Sequence, residues 1–325
     1  MPVYNAEPYI AQAVQSICQQ TFTDFEFIIV NDGSTDGTTA ILQDFARRDA
    51  RIKLISRPNT GVVGASNDAL TAARGEFIAR VDGDDIAMPT RLEKQLRYMR
   101  AHPECSALGS WVRMIDSDGD PVRIYQVPTD HDDIDHALFR TWAIFHPTMM
   151  TPREIIMKVG GYREEYRTLE DLDLFLRLGE QGRMANLPEP LVEYRQHVCS
   201  MCLTNSRRMN SIIVDILQQA YQRRGQKAPA SLSTRRCGPD EHDPLTLRMM
   251  WAWWAHDDGF YGTARKHGLR LLRERPFDLQ VWRLLACALR GSVSQRLAAR
   301  SAQSGRAVEM PDNATVKVSA AETTT

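Results

Sequence analysis

Over its first hundred residues the chain alternates short apolar runs with amphipathic stretches, and the apolar runs end in loops rich in Asp, Asn and Gly. Phe25–Val30 leads into Asn31-Asp32-Gly33-Ser34-Thr35-Asp36-Gly37, and Phe77–Val81 leads into Asp82-Gly83-Asp84-Asp85. Helical spacing over about 7–20 (Ile10, Val14, Ile17), around Ile41, Leu42 and Phe45, and over 61–73 separates predicted strands at 25–30, 51–56 and 77–81. That rhythm with short loops specifies a wound α/β sheet, with Phe77–Val81 as a buried central strand. Ligands of such sheets bind at the carboxyl ends of the strands. Asp82, Asp84 and Asp85 placed there would repel one another and lose hydration, at a cost of several kcal/mol unless a cation neutralised them. Hard oxygen donors suit Mg²⁺ or Mn²⁺, which take their remaining ligands from water and substrate phosphates. Taken alone, the same Asp-Gly run also reads as a solvated turn.

The formal net charge of −1 over 325 residues gives no basic field that would argue for nucleic acid as a partner. No apolar run approaches the ~18 residues of a membrane span, and no secretory signal opens the chain. The six cysteines (Cys18, Cys105, Cys199, Cys202, Cys237 and Cys287) are scattered as reduced thiols would be. A zinc site from Cys199, Cys202, Cys237 and His242 has poor spacing. The expected location is the cytoplasm, with peripheral contact on the inner face of the membrane left open.

Beyond residue 101 the rhythm changes. Ser106–Ser110 and Val112–Ile115 read as strands and Asp116-Ser117-Asp118-Gly119-Asp120 as a hairpin tip. The tip resembles a calcium loop without its closing glutamate. A strand at 148–150, a helix at 153–159, a helix starting at Thr168-Leu169-Glu170-Asp171, and strands near 185–187 and 191–194 complete a first unit over 1–203. Residues 204–300 have helical periodicity, with a polar linker at 225–243 and helices near 260–274 and 278–290; residues 301–325 lack an apolar period and are expected to be disordered. Met249-Met250-Trp251-Ala252-Trp253-Trp254 reads chiefly as the core of this helical region, and secondarily as a lipid-interface belt.

Several motifs, in order, resemble those of the family 2 glycosyltransferases over about residues 1–200. They are PVYN at 2–5, VNDGSTDGT at 30–38, GVVGASNDAL at 61–70, VDGDD at 81–85, GGYRE at 160–164, LEDLDLFLRL at 169–178 and YRQH at 194–197. The resemblance implies a GT-A fold, a Rossmann-like wound mixed sheet, here followed by a smaller α-helical C-terminal region. It implies inverting transfer of a sugar from a nucleotide-diphosphate sugar, with Mn²⁺ or Mg²⁺, to a hydroxyl of a glycan or lipid-linked acceptor. Carried over residue by residue, Tyr4 stacks on the base, Asp32 bonds its edge, Asp82 lies near the ribose and Asp84 ligates the metal. Asp171 is the general base, and His197 completes the metal site or meets the diphosphate. Ser66 stands where the family often has arginine, and the QxxRW signature of processive synthases is absent, which implies addition of single sugars. Members also carry an apolar strand before PVYN, so a chain extended upstream is expected to be more stable. Two other readings are a sugar nucleotidyltransferase, which would carry a glycine- and lysine-rich phosphate loop near its first strand, and a degenerate sugar-binding scaffold.

Overall fold

The computed structural model describes residues 1–196, 206–229, 232 and 244–304. The first half alternates as the sequence predicts: β1 (Pro2–Val3), α1 (Ile10–Cys18), β2 (Phe27–Asn31), α2 (Thr38–Arg48), β3 (Ile52–Ser56) and α3 (Val62–Ala72). These strands form a parallel sheet in the order β1-β2-β3, with Val3 opposite Asn31 and Phe27 opposite Ile52. All five residues of β2 are buried, because helices cover both faces of a parallel sheet. Ile10, Val14 and Ile17 of α1 pack with Leu42 of α2 and Ile29 of β2.

The second sheet is mixed and corrects two expectations. Its elements are β4 (Phe77–Ala79), β5 (Ile86–Ala87), α4 (Arg91–Ala101), β6 (Cys105–Ile115), β7 (Pro121–Tyr125), α5 (His131–Leu138), β8 (Met150–Pro152), α6 (Arg153–Lys158), α7 (Glu170–Gly179) and β9 (Arg183–Arg195). The strand order is β4-β8-β6-β9-β5, with β7 on β6. The run at 77–81 is therefore no central parallel strand. Only Phe77–Ala79 is laddered, antiparallel to β8, and Ala79 is exposed. A cavity of about 680 Å³ separates it from β2, lined by Phe27 and Ile28 on one side and Phe77, Ile78 and Ala79 on the other. The paired strands read at 106–115 and at 185–194 are each one long strand, β6 and β9, which run parallel to one another with register shifts near Trp111. Those irregularities disguise a continuous strand as two short ones.

The largest core cluster lies behind this sheet. Leu172, Phe175 and Leu176 of α7 meet Met149, Ile156 and Tyr162, and α8 (Ser206–Arg223) adds Ile213, Ile216 and Leu217. The C-terminal helices are α9 (Pro244–Asp257), α10 (Tyr261–Glu274) and α11 (Leu279–Ser304). Trp251 and Leu247 of α9 bury against Val112, Val122 and Val192, so the tryptophan segment serves a core at this position. His197, the Cys199 and Cys202 pair, Cys237, His242 and the tail beyond Ser304 lie outside the described residues.

Candidate functional site

The carboxyl edge of the parallel sheet is assembled by local turn chemistry. Val3 and Asn31 are register partners, so Tyr4 and Asp32, one residue further on, share the edge. Asn5 adopts a positive φ of 48° and its side-chain oxygen accepts from the Thr35 amide at 2.8 Å, while its own amide donates to Ser34 Oγ at 3.0 Å. The PVYN turn is thereby clasped to the NDGSTDG loop, and Tyr4 is left 52% exposed. Asp32 is buried: its two oxygens accept from the amides of Thr60 (3.0 Å) and Gly61 (2.8 Å), and Arg57 lies 3.4 Å away. This carboxylate first fixes the loop that opens α3. Gly33 permits the approach, because at φ +76° an added Cβ would sit 2.8 Å from the Asn59 amide nitrogen.

The acidic loop 82–85 lies between β4 and β5. Arg80, buried just after β4, pairs with Asp82 at 2.5 Å and donates to the Val81 carbonyl at 2.6 Å. Close packing and the neighbouring Asp84 raise the Asp82 carboxyl above its ordinary range, against the pull of Arg80. Burial, followed by the charges of Asp84 and Asp82, raises Asp85 further, and Asp85 Oδ2 has no partner. Its Oδ1 accepts from the Arg195 amide at 2.8 Å. The Arg195 guanidinium donates to the Asp84 carbonyl (2.8 Å), to Gln12 Oε1 (3.0 Å) and to the Ser117 carbonyl (3.2 Å), so β9 holds the loop through the Asp84 backbone as well as the Asp85 carboxylate. Arg80, Arg91 and Arg195 offset part of the charge of these three carboxylates, and the oxygen donors of the loop are of the kind a hard divalent cation takes. The only trio of metal-binding groups among the described residues with oxygens within 4.8 Å is elsewhere. Asp84 with substrate oxygens, rather than a cage of three aspartates, fits the loop.

That other trio is Asp116, Asp118 and Asp120 at the β6–β7 tip, and it already holds a cation of the chain. Lys266 of α10 contacts Asp116, Asp118 (3.1 Å) and Asp120 (2.5 Å), and Arg270 reaches Asp118 at 2.9 Å. The segment is a hairpin turn that anchors the C-terminal helices.

The start of α7 is brought to the acidic loop from 85 residues away in sequence. Glu170 is buried, and its carboxyl is pushed up to about 8 by burial and by the adjacent Asp171, with Arg80 opposing and Asp82 reinforcing the shift. Asp171 is half-buried and accepts from the Leu172 amide at 2.7 Å. Behind them, Tyr162 bonds His146 Nε2 at 2.8 Å. Burial and the Arg80 charge hold His146 well below its ordinary range. Asn67 of α3 bonds the Tyr162 amide and carbonyl at 3.0 and 2.8 Å, and Gly161 (φ +64°) would place a Cβ 2.8 Å from the Asn67 oxygen. Ser66 faces away from this edge, into the 680 Å³ cavity, with its hydroxyl unpaired.

Tyr4 and Asp32, expected from the sequence, share the edge of the parallel sheet, and Asp82 and Asp84 share the acidic loop; sequence reasoning did not single out Arg80 or Arg195, or the electrostatic coupling of Glu170 to Asp82. Arg80 had a legible signal, since an arginine inside an apolar run must find a partner when buried.

The family model for glycosyl transferase family 2 matches residues 1–160. An uncharacterized glycosyltransferase of Haemophilus influenzae is 35% identical over 210 residues, covering 60% of this chain and 63% of that protein. The O-antigen biosynthesis glycosyltransferase WbnJ of Escherichia coli is 33% identical over 201 residues, covering 61% of this chain and 78% of that protein. Among solved structures, S. aureus TarS 1–349 with UDP-GlcNAc aligns with a TM-score of 0.54 at 17% identity, over 94% of this chain and 90% of that one. The mannosyltransferase PcManGT of Pyrobaculum calidifontis, with GDP-Man and Mn²⁺, aligns with a TM-score of 0.53 at 18% identity, over 90% and 84%. At such identity these two establish likeness of fold.

Proposed function

Because this chain belongs to glycosyl transferase family 2, we propose that it moves a single sugar from a nucleotide-diphosphate sugar to a hydroxyl of a glycan or lipid-linked acceptor, with inversion at the anomeric carbon. The observation that carries this reading is electrostatic. Glu170 at the start of α7 is near enough to Arg80 and Asp82 to be influenced by their charges, which supports a reading in which Asp171 works beside the acidic loop.

Tyr4 offers an exposed aromatic face for a base, and Asp32 can share its remaining lone pairs with the base edge while holding Thr60 and Gly61. In this reading Asp82, paired with Arg80, meets a ribose hydroxyl of the donor. Asp84 would hold Mn²⁺ or Mg²⁺, with His197 as a further ligand. When bound, that cation supplies Lewis-acid stabilisation of the departing diphosphate. Asp171 takes the proton of the acceptor hydroxyl, whose oxygen attacks the anomeric carbon as the bond from that carbon to the diphosphate oxygen breaks. The bonding pair leaves with the diphosphate, and attack from the opposite face inverts the centre. Burial raises the Glu170 carboxyl, so in this reading Glu170 holds its proton and the less buried Asp171 is the carboxylate that accepts one. Positioned base catalysis of this kind is worth roughly 10²–10⁴-fold. A structural neighbour holding GDP-Man with Mn²⁺ and a relative named for O-antigen biosynthesis support the donor class, the metal and a glycan acceptor.

The test is a panel of nucleotide-diphosphate sugars incubated with the protein, with and without Mn²⁺, scored for release of nucleoside diphosphate. Metal-stimulated release from one donor is expected. Release of pyrophosphate from a sugar phosphate and a nucleoside triphosphate would mark a nucleotidyltransferase, and no turnover of any donor would mark a degenerate binder.

A further inference from the structure

Helix α11 is apolar on two faces, and among the described residues only one is covered. Val281, Leu284, Leu285 and Ala288 are buried toward α9 and α10. On the opposite side Leu279, Trp282, Ala286 and Leu289 follow one stripe at helical spacing, with Leu279 81%, Trp282 52% and Leu289 55% exposed. The turn before it carries Phe277, 94% exposed. The Trp282 indole donates to the Pro276 carbonyl at 2.9 Å, so the ring is fixed over that turn before anything binds. Soluble monomers rarely expose contiguous apolar surface of this kind without a partner for it.

Charge identifies the partner. Between 261 and 304 the sequence carries nine Lys and Arg against two Asp and Glu, in a chain of formal net charge −1. Lys266 and Arg270 are engaged by the β6–β7 tip. Arg273, Arg283 and Arg290 are exposed, and Arg283 and Arg290 stand one heptad apart beside the stripe. The 26 residues of α11 include four arginines and no acidic residue. Arg283 also shares a recess of about 340 Å³ with Trp253 and Gln280. A second copy of the chain would bring these arginines against each other, and a nucleic acid would leave Phe277 and Leu279 in water. A surface that is anionic outside and apolar beneath satisfies both features.

We propose that the Phe277 turn and the Leu279–Trp282–Leu289 stripe of α11 dock on an anionic phospholipid bilayer, lying on it without crossing it. No helix among the described residues is long and apolar enough to span a membrane. The apolar side chains enter the acyl boundary while Arg283 and Arg290 meet lipid phosphates. The surface is independent of the sugar-transfer reading.

The full chain is mixed with phosphatidylcholine vesicles containing phosphatidylglycerol, or with phosphatidylcholine alone, and the bound fraction is measured by sedimentation. Binding to the anionic vesicles is expected, falling steeply with salt. Replacing both arginines (Arg283→Gln with Arg290→Gln) is expected to weaken it about 25-fold, at about five-fold for each charge lost near such a surface. Phe277→Ser with Leu279→Ser is expected to weaken it by about tenfold or more, with unchanged circular dichroism, since both side chains are already in solvent. Equal binding to neutral vesicles, or variants that bind as the wild type does, would overturn the proposal. A concentration-dependent dimer abolished by Phe277→Ser with Leu279→Ser, or binding to a DNA oligonucleotide without vesicle binding, would reassign the face.

Discussion

Replacing Lys266 with methionine removes one charge and keeps most of the stem, and the structure sets what that should cost. Asp116 is 1% exposed and burial alone would raise its carboxyl, but bonds from His267 and Lys266 hold it well below the usual carboxylate range. Without Lys266 the carboxylate keeps His267 Nε2 at 2.9 Å and the amides of Asp118 (3.0 Å) and Asp120 (2.9 Å). Breaking a fully buried ion pair from one side costs ~3–5 kcal/mol. Lys266 is 22% exposed and three donors remain, so ~2–3 kcal/mol is expected here. Denaturant unfolding measures the loss. Hydrogen exchange should locate it at the seam, where the Ile124 amide donates to Asp258 at 2.7 Å. Adding Asp116→Asn to Lys266→Met removes the stranded charge and should return at least ~1 kcal/mol. A loss below ~0.5 kcal/mol for Lys266→Met, or strict additivity of the two changes, would show that the tip is only a solvated turn.

Glu170→Gln gives a pH test in metal-free buffer. Because the folded Glu170 holds its proton up to about 8 against an ordinary 4.5, wild-type stability should fall as pH rises through that window. The glutamine variant should lose ~2–4 kcal/mol less between pH 5 and 8 and, assayed separately with Mn²⁺, transfer sugar near the wild-type rate at pH 7; parallel stability curves would contradict the assignment. Asp84→Ala should abolish Mn²⁺-dependent binding of the nucleotide by calorimetry, and unchanged metal-dependent affinity would move the ligand elsewhere.

The site was legible where its chemistry is local. Turn residues and carboxylates at 31–37 and 82–85 declare a loop at a strand end whatever the strand pairs with, so the positions of Asp32, Asp82 and Asp84 in loops after strands could be read from sequence. The pairing itself was not legible: three apolar residues at 77–79 carry no mark that says antiparallel to 150–152, and β6 and β9 conceal their continuity in register shifts. Helix α5 gave too weak a pattern, with only Ile134 and Leu138 buried in eight residues. The exposed side of α11 was not singled out, since composition records aromatic residues but not the direction they face, whereas the tryptophan segment of α9 read chiefly as core does bury Trp251. Contacts such as Lys266 with Asp116 depend on the whole fold and have no local signature.

Asp171→Asn tests the central claim most directly, with donor affinity by calorimetry and turnover with a working acceptor measured on one preparation. A base acts on the acceptor proton, so nucleotide-sugar and metal affinity should stay within about two-fold while transfer falls by roughly 10²–10⁴-fold. Asparagine is nearly isosteric and can still accept from the Leu172 amide, which keeps the helix start intact. Wild-type turnover in this variant, or a loss of donor binding equal to the loss of rate, would contradict the account.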